Sequence, residues 1–524
     1  MKQANKNFIT NILYLIINIA IGVLYTPYLV KHVGIIAYGI VPLALIINQY
    51  INVISLPLIN ALTRFYSVEY RKGNFNNASK YLSTSIVVSI IFTIILYPLM
   101  HIAINYIDLL FDIPETLLDN AILLFRLTIA SFFISIISNC LNTTLFSNNL
   151  LNYVNYLKIV RQTSKFILNI IFFICIDINI IYIGWSNFIS EMLVLILNIF
   201  FYKKTKPQYI HCDFKLYDKK YLIAMLGMII WVLVQRFSDT FLYKIDSVLM
   251  NLFFGIKMTG IIGAISEFGS YVISITTILV SLFGPLLLIA YSQQKYKDYI
   301  EKTIHGGYLV GLFSSLLCAL LCGSASLLLK IWLGAEFEQY SSWMIIKLLI
   351  IPYTTVGAIY SNSYLYANYN KYPALLSIVI ALFNIIINVF ILNIQPSINI
   401  FLIICFTFML IQGFAMNIFF YNRLYPGKLK EIIILTSKYT IYFILLYFIT
   451  LISSSLYNIE NIYQLFILYS ILFCIGIIVL DSIFLSNKQR NMLYEILPLY
   501  KTIRLTILNR IIRCIYNRLL LNIL

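Results

Sequence analysis

The sequence predicts an all-α polytopic membrane protein with fourteen transmembrane helices, built as two six-helix lobes in a pseudo-twofold arrangement plus two extra helices. Three observations lead to this fold class. Hydrophobic residues make up 61% of the 524 residues and charged residues only 11%, with a mean hydropathy of +0.89. The apolar residues form runs long enough to cross a bilayer, and Lys and Arg concentrate in the short segments between those runs. A soluble domain has too little interior to bury so much apolar surface.

The predicted spans follow from length, because a helix needs about 20 consecutive apolar residues to cross the hydrocarbon core. The segments that meet this requirement are 8–30, 37–61, 82–106, 118–146, 159–181, 183–202, 221–250, 257–288, 304–329, 339–366, 372–394, 398–421, 432–454 and 462–485. The first of them follows a short basic N-terminus but lacks a small-residue cleavage site, so it is expected to be retained as a helix.

Charge distribution orients these spans. If the N-terminus lies inside, most of the 37 Lys and Arg residues fall in cytoplasmic segments, while Lys31, Lys257 and Lys330 fall outside. Acidic residues crowd one external loop at Asp108, Asp112, Glu115 and Asp119. This positive-inside pattern predicts that both termini are cytoplasmic. It also accounts for the net charge of +17 without a nucleic-acid partner.

Internal organisation appears in a short repeat. GIIAYGI at 34–40 follows the first span and GIKMTGI at 255–261 follows the seventh, with both glycines retained. We therefore predict an N-terminal lobe at 1–205, a basic cytoplasmic linker at 206–220, a C-terminal lobe at 221–425 and two further spans within 426–485. The basic amphipathic tail at 486–524, with Arg504, Arg510, Arg513 and Arg518, is expected to lie on anionic membrane lipids.

Span seven contains the densest intramembrane charge, in the stretch WVLVQRFSDTFLYKIDSVLM at 231–250. Arg236 lies at the midpoint of the span, and Asp239, Thr240, Tyr243 and Ser247 project to the same side of an ideal helix. Lys244 projects to the other side and, with Asp246, is expected nearer the outer rim. A charge at the bilayer centre costs at least about 2.5–3.5 kcal/mol, so this polar face must meet protein or water.

Other intramembrane or membrane-edge charges are candidates for the same site. The cations Arg236, Arg64, Arg126 and Lys347, with Asp239 beside Arg236, are predicted to bind an anionic substrate in a central cavity. The acids Glu191, Glu267 and Asp246 are candidates for binding a coupling H⁺ or Na⁺ or for balancing the cations. The alternative is that these groups pair structurally, since Arg236 and Asp239 stand three residues apart on one helix. The sequence alone leaves both hypotheses open.

Two stretches carry a family resemblance. Residues 26–85 contain the glycine pair Gly34 and Gly39, the sequence ALTRF and the loop KGNFNNASK, and residues 244–264 read KIDSVLMNLFFGIKMTGIIGA. These resemble the Wzx-type polysaccharide flippases of the MOP exporter superfamily, which also includes the MATE drug exporters and the MurJ lipid II flippases.

The resemblance implies a substrate and a setting. The substrate is an undecaprenyl-pyrophosphate-linked oligosaccharide, moved across the bacterial inner membrane by alternating access. The product feeds O-antigen, lipopolysaccharide or capsule biosynthesis, with polysaccharide assembly proteins as possible partners.

Two other functions remain as alternatives. Span one at 8–30 lacks the acidic residue common in MATE exporters, and the RIPN-type motif associated with MurJ is absent, which favours the polysaccharide branch over an ion-coupled drug exporter. A membrane glycosyltransferase or polymerase needs a catalytic constellation, but the four His residues are scattered and no nucleophile accompanies them. Without a Walker-type phosphate loop, ATP-driven transport is also disfavoured. The chain is thus expected not to be an enzyme and to need no cofactor or metal.

Overall fold

A computed structural model describes residues 2–205, 210–367, 369–457 and 459–496, and this part of the chain is almost wholly helical. Short 3₁₀ turns lie at Ile104–Leu109, Phe214–Leu216 and Ala335–Tyr340, and π turns at Ile411–Met416 and Leu480–Phe484. The α-helices are α1 (Lys2–Arg71), α2 (Phe75–Ala103), α3 (Glu115–Ser147), α4 (Leu151–Cys175), α5 (Ile181–Thr205), α6 (Lys219–Ser292), α7 (Tyr296–Gly323), α8 (Ala325–Trp332), α9 (Ser341–Leu349), α10 (Ile351–Tyr366), α11 (Lys371–Ile394), α12 (Ile398–Leu410), α13 (Asn417–Leu424), α14 (Leu429–Leu456), α15 (Ile462–Val479) and α16 (Asn487–Ile496).

The two longest helices, α1 and α6, are each broken by one glycine. Gly34 has φ 81° and ψ 158°, and Gly255 has φ 80° and ψ 174°. This region of backbone space is essentially restricted to glycine, because a Cβ atom would clash there with the neighbouring peptide. Each long helix is therefore a pair of helices joined directly at a glycine. Since these glycines begin GIIAYGI and GIKMTGI, the sequence repeat corresponds to a repeated backbone turn.

The second glycines of the two motifs pack against each other's segments. A Cβ on Gly39 would lie 2.4 Å from the carbonyl oxygen of Ile256, and a Cβ on Gly260 would lie 2.6 Å from the carbonyl oxygen of Ile35. Ile35 and Ile256 occupy the same position in their motifs, so the contact is reciprocal. The helices after the two turns thus cross at backbone contact, with local twofold character.

Eleven helical stretches of the described chain are long and apolar enough to cross a membrane. Two of them, Ile9–Val53 and Leu233–Leu288, contain the glycine breaks, and α4 is not among the eleven. These findings confirm an all-helical chain with many candidate spans. The count of fourteen spans and the two-lobe plan stay predictions.

The chain divides into two compact units. The first unit comprises Met1–Tyr271 and Asn370–Gln412, and the second comprises Val272–Tyr369 and Gly413–Leu524. In the first unit α1 packs on α2, α3 and α4, and α5 packs on α3 and α4. In the second unit α7 is the central helix, against which α10, α14 and α15 pack. The first unit holds residues from both predicted lobes, and the lobe boundaries stay predictions.

Only part of the predicted linker and tail belongs to the described residues. Residues 206–209 lie outside them, but 210–218 runs along α2, where Ser79, Ser83 and Thr84 accept hydrogen bonds from backbone N–H groups of this segment. At the start of the tail, α16 is held by ion pairs of Lys488 with Glu301 and of Arg490 with Asp481. Residues 497–524, including Arg504, Arg510, Arg513 and Arg518, lie outside the described residues.

Candidate functional site

A polar face runs along the second half of α1. The spacing of its residues, with an eight-residue gap that contains Leu56, places them on one side of the helix over about six turns. They are Gln49, Asn52, Asn60, Thr63, Arg64, Ser67 and Arg71. Two cavities of the first unit open on this face, and Leu56 lines both of them. We call the two cavities together the polar groove.

The small cavity lies between α1 and α6 and has a volume of about 260 Å³. Four of the five α6 residues in its wall are the ones that helical spacing had placed around Arg236; the fifth is Lys244. Lys244 joins them because it follows Thr240 by four residues, one turn further along the helix. The lining residues are Gln49, Asn52, Val53, Leu56, Arg236, Asp239, Thr240, Tyr243 and Lys244.

Asp239 has a partner other than Arg236. Its Oδ1 accepts a hydrogen bond from Nε2 of Gln412 at 3.0 Å. Gln412 is buried and lies in the π turn Ile411–Met416, a local widening of the helix that is common at functional sites. Arg236 is exposed to the cavity, and among the described residues the ion pairs within 4 Å do not include it. Arg236 still interacts electrostatically with Asp239, so both hypotheses about this pair stay predictions.

The large cavity lies between α1, α3 and α4 and has a volume of about 700 Å³. Three cations line it, Arg64 and Arg71 from α1 and Lys158 from α4, and its lining among the described residues contains no carboxylate. Amides and hydroxyls complete the polar wall: Asn60, Thr63, Ser67, Asn139, Asn142 and Thr143. Hydrogen bonds join the helices beneath it, from Thr63 to Thr143 at 3.3 Å and from Ser67 to Ser147 at 2.7 Å.

A second group of charges lies on α4, α5 and α6 and adjoins the groove, because Lys244 of the small cavity interacts electrostatically with Glu267. Arg161 on α4 forms an ion pair with Glu191 on α5, with Nε and Oε1 2.7 Å apart. Lys165, one turn further along α4, interacts electrostatically with Glu191 and Glu267, and its ammonium lies 5.9 Å from the centre of the Tyr25 ring. We call Arg161, Lys165, Glu191 and Glu267 the closed charge cluster. Its acids already face cations, which favours charge balancing over the binding of a coupling ion.

Arg161 and Lys165 are interior charges that the sequence did not single out, because residues 159–181 have the overall hydropathy of an apolar span. The available signal was spacing: Lys158, Arg161 and Lys165 recur at three and four residues, so they form one basic face of α4. That basic face also explains why α4 falls short of the apolarity expected of a span.

The remaining predicted residues lie outside both cavities. Arg126 donates to Oδ1 of Asn105. Asp246, expected near the outer rim, is buried, and its Oδ1 accepts hydrogen bonds from the backbone N–H and hydroxyl of Ser247. Lys347 lies on α9 in the second unit. Of the eight predicted residues the structure brings together Arg64, Arg236 and Asp239 along the groove.

Comparison with known proteins adds a family match and a curated relative. The MatE family model matches residues 7–172. The uncharacterized membrane protein EpsK of Bacillus subtilis (strain 168) is 23% identical over 395 residues, covering 73% of this chain and 76% of that protein.

Solved structures decide the fold. An inward-facing multidrug resistance MATE transporter of the MOP superfamily superposes with a TM-score of 0.62 at 12% identity, covering 81% of this chain and 99% of its own. The chain has the MATE fold. A MATE protein in complex with MaL6 gives 0.61 at 13% identity, covering 80% and 97% of the two chains.

A third solved structure with the MATE fold is a MOP superfamily transporter from Pyrococcus furiosus Vc1 with a binding pocket of reversed polarity. It gives a TM-score of 0.56 at 14% identity, covering 81% of this chain and 96% of that one. The MATE fold agrees with the fold that the resemblance implies, while the fourteen-helix, two-lobe plan and the polysaccharide branch stay predictions. The inward-facing neighbour is itself described as a multidrug resistance transporter. The expectation that this chain is not an enzyme stays a prediction.

Proposed function

We propose that this protein is a flippase that moves undecaprenyl-pyrophosphate-linked glycan units across the bacterial inner membrane for surface polysaccharide biosynthesis. The observation that carries the proposal is the charge of the polar groove. Its described lining holds five cations, Arg64, Arg71, Lys158, Arg236 and Lys244, against the single carboxylate of Asp239. Arg236 and Lys244 lie within predicted span seven, where a charge is costly and marks a transport path. The other three cations lie near the predicted cytoplasmic ends of spans two and five, where they extend the same basic lining.

The chemistry of the groove fits a diphosphate linked to sugar. Guanidinium groups bind phosphate oxygens through two parallel hydrogen bonds, and ammonium groups supply compact positive charge. The side-chain amides and hydroxyls between the cations are both donors and acceptors, as sugar hydroxyls are. The glycan and diphosphate cross within the groove while the polyprenyl tail stays in the bilayer.

Transport proceeds by alternating access, in which the protein exposes the groove to one side of the membrane and then to the other. Substrate binding supplies no net work, so an H⁺ or Na⁺ gradient, or removal of the product by polysaccharide assembly proteins, gives the direction. Of the predicted acids, Asp239 is the one on the groove wall, and it is the first candidate for ion coupling.

An ion-coupled MATE-type drug exporter is the second candidate, and the multidrug resistance transporters with the same fold favour it. The sign of the groove argues against it for cationic drugs, because five cations repel them. The Pyrococcus furiosus neighbour, whose binding pocket has reversed polarity, supports the idea that one fold accommodates pockets of different polarity.

The test is Arg236→Ala, assayed by flipping of a fluorescent undecaprenyl-pyrophosphate-linked disaccharide in proteoliposomes. A hydrogen bond to a charged group contributes about 1.5–3 kcal/mol, so the rate is expected to fall about 10- to 100-fold. Arg236→Lys should retain part of the activity because it keeps the charge and loses the bidentate geometry.

Lys302→Ala is the matched control, since Lys302 is a basic residue that pairs with Asp298 and does not line the groove. Full activity of Arg236→Ala would reject the anion path. Unchanged glycan export together with altered drug sensitivity in a deletion strain would favour the exporter instead.

A further inference from the structure

We propose that the large cavity is a separate loading site for the diphosphate group of the substrate, occupied before that group reaches Arg236. The inference rests on the proposed function and assigns a distinct step to Arg64, Arg71 and Lys158. Of these three residues, sequence analysis singled out only Arg64.

The cations of the large cavity converge from two helices. Arg64 and Arg71 stand seven residues apart on α1, so they share a face and are separated by about 10 Å along the axis. Lys158 approaches from α4, and its ammonium lies 5.3 Å from the centre of the Tyr14 ring, a cation–π contact that restrains the side chain. Three positive groups on two walls suit a ligand with more than one negative charge.

The acid closest in sequence to these cations is turned away from them. Glu69 lies between Arg64 and Arg71 in the chain, but its Oε2 accepts hydrogen bonds from the amides of Asn74 at 3.0 Å and Asn77 at 3.2 Å. Its other oxygen pairs with Lys72 at 3.8 Å. Because the amides donate to the carboxylate, the pKa of Glu69 lies below its usual value. The KGNFNNASK loop thus holds the charged Glu69 away from the cavity.

On α1, Asn52 and Arg64 are too far apart for one diphosphate to contact both. Asn52 of the small cavity and Arg64 of the large cavity are twelve residues apart on one helix, which is about 18 Å. The two cavities are nevertheless continuous, since Leu56 borders both. At about 700 Å³ the large cavity is within the usual range for ligand sites, about 300–1,000 Å³.

The orientation of the chain in the membrane indicates which cavity the diphosphate occupies first. Arg64 and Arg71 belong to the segment after span two that the positive-inside pattern predicts to be cytoplasmic. The large cavity therefore faces the leaflet in which a lipid-linked precursor is made. The small cavity, with Arg236 of α6 in its wall, lies further from that leaflet along the groove. The diphosphate binds first to Arg64, Arg71 and Lys158 and then moves past Leu56.

The two steps are separated by the concentration dependence of flipping in proteoliposomes that contain the full-length protein. Arg71→Ala and Lys158→Ala are each expected to raise the substrate concentration for half-maximal flipping about tenfold and to leave most of the maximal rate. Arg236→Ala is expected to lower the maximal rate instead. Lys302→Ala should change neither parameter, and melting temperatures of all variants in detergent identify any that are misfolded.

Inhibition by small anions tests the chemical class. Inorganic pyrophosphate should inhibit flipping by the wild type at concentrations at least about tenfold below orthophosphate, and this difference should shrink in Arg71→Ala. If Arg71→Ala and Lys158→Ala match Lys302→Ala, the loading site is rejected while the effect of Arg236→Ala still supports the proposed function. If the wild type flips no diphosphate-linked lipid, the proposed function itself fails.

Discussion

The polar groove and the closed charge cluster both contain ionised groups in or near predicted membrane spans, but cations are in excess in the groove and are paired with acids in the cluster. In the groove, cations outnumber the one carboxylate, and Arg236 faces open space. In the cluster, Glu191 forms an ion pair with Arg161 at 2.7 Å, and Lys165 is shared electrostatically between Glu191 and Glu267. An overall balance of charge therefore says little about a cavity, because acids balance the cations in the cluster but not in the groove.

This difference in charge pairing predicts that substitutions in the closed charge cluster lower stability and that substitutions in the polar groove lower the transport rate. Removing one member of a paired, largely buried set leaves its partner uncompensated, which is strongly destabilising. Removing a cation from the wall of an open cavity relieves repulsion among the remaining cations and removes a ligand for the substrate. Three experiments sharpen or break this contrast.

The largest effect on stability is expected for Arg161→Ala. Breaking a buried pair costs about 3–5 kcal/mol, and because the Arg161 side chain is partly exposed we expect a loss near the lower value, about 3 kcal/mol. The measurement is thermal or denaturant unfolding in detergent, with Arg236→Ala as the groove counterpart expected within about 0.5 kcal/mol of wild type. The Arg161→Ala/Glu191→Ala double variant should recover part of the loss. Equal losses at Arg161 and Arg236 would contradict the comparison.

A smaller effect is expected for Lys165→Met. The substitution keeps the length of the side chain but leaves Glu191 and Glu267 with less positive charge, and we expect a loss of about 1–2 kcal/mol. Adding Glu267→Gln removes the excess acid and should restore most of it. The flipping rate is then measured across a range of Na⁺ concentration and pH. A change in this ion dependence caused by Lys165→Met would show that the cluster couples transport to an ion, against the charge-balancing assignment.

The smallest of the three effects is expected for Gln412→Leu. The lost hydrogen bond to Asp239 is one to a charged acceptor, for which a cost of about 1.5 kcal/mol is typical. Since Asp239 lies on the groove wall, the flipping rate should also fall several-fold as the carboxylate loses its fixed orientation. Gln395→Leu, at an exposed residue after α11, serves as the control. If Gln412→Leu behaves like that control, Asp239 is positioned by other groups.

Much of the fold could be predicted from the sequence because it depends on residues that are close together along the chain. Apolar length predicts membrane helices, and a recurring Gly-x-x-x-x-Gly pattern predicted a repeat that the structure expresses as matching turns at Gly34 and Gly255. Helical spacing around Arg236 identified most of the α6 side of the small cavity, since 100° per residue is a property of any helix. The resemblance to MOP exporters is confirmed at the level of the MATE fold.

The candidate site was less predictable, because the side chains that contact each other there are far apart in the sequence. Gln412 lies 173 residues from Asp239, and no local pattern joins them. The polar face of α1 had a regular spacing, but apolar residues on the other faces gave span two an ordinary hydropathy. Arg161 and Glu191 lie on neighbouring helices, α4 and α5. In the sequence each is an isolated charge, and only the packing of the two helices brings them together.

The paired glycine motifs have a consequence for substitution by other amino acids. Gly34 is constrained by handedness: a Cβ there would meet no atom within 4 Å, yet φ of 81° is closed to L-residues. Gly39 is constrained by volume, since its Cβ would meet a carbonyl oxygen at 2.4 Å. A D-alanine introduced by semisynthesis should therefore be accepted at Gly34, where L-alanine is strained. The two glycines of one seven-residue motif therefore differ in what can replace them: a D-residue fits at Gly34, whereas a side chain is excluded by volume at Gly39.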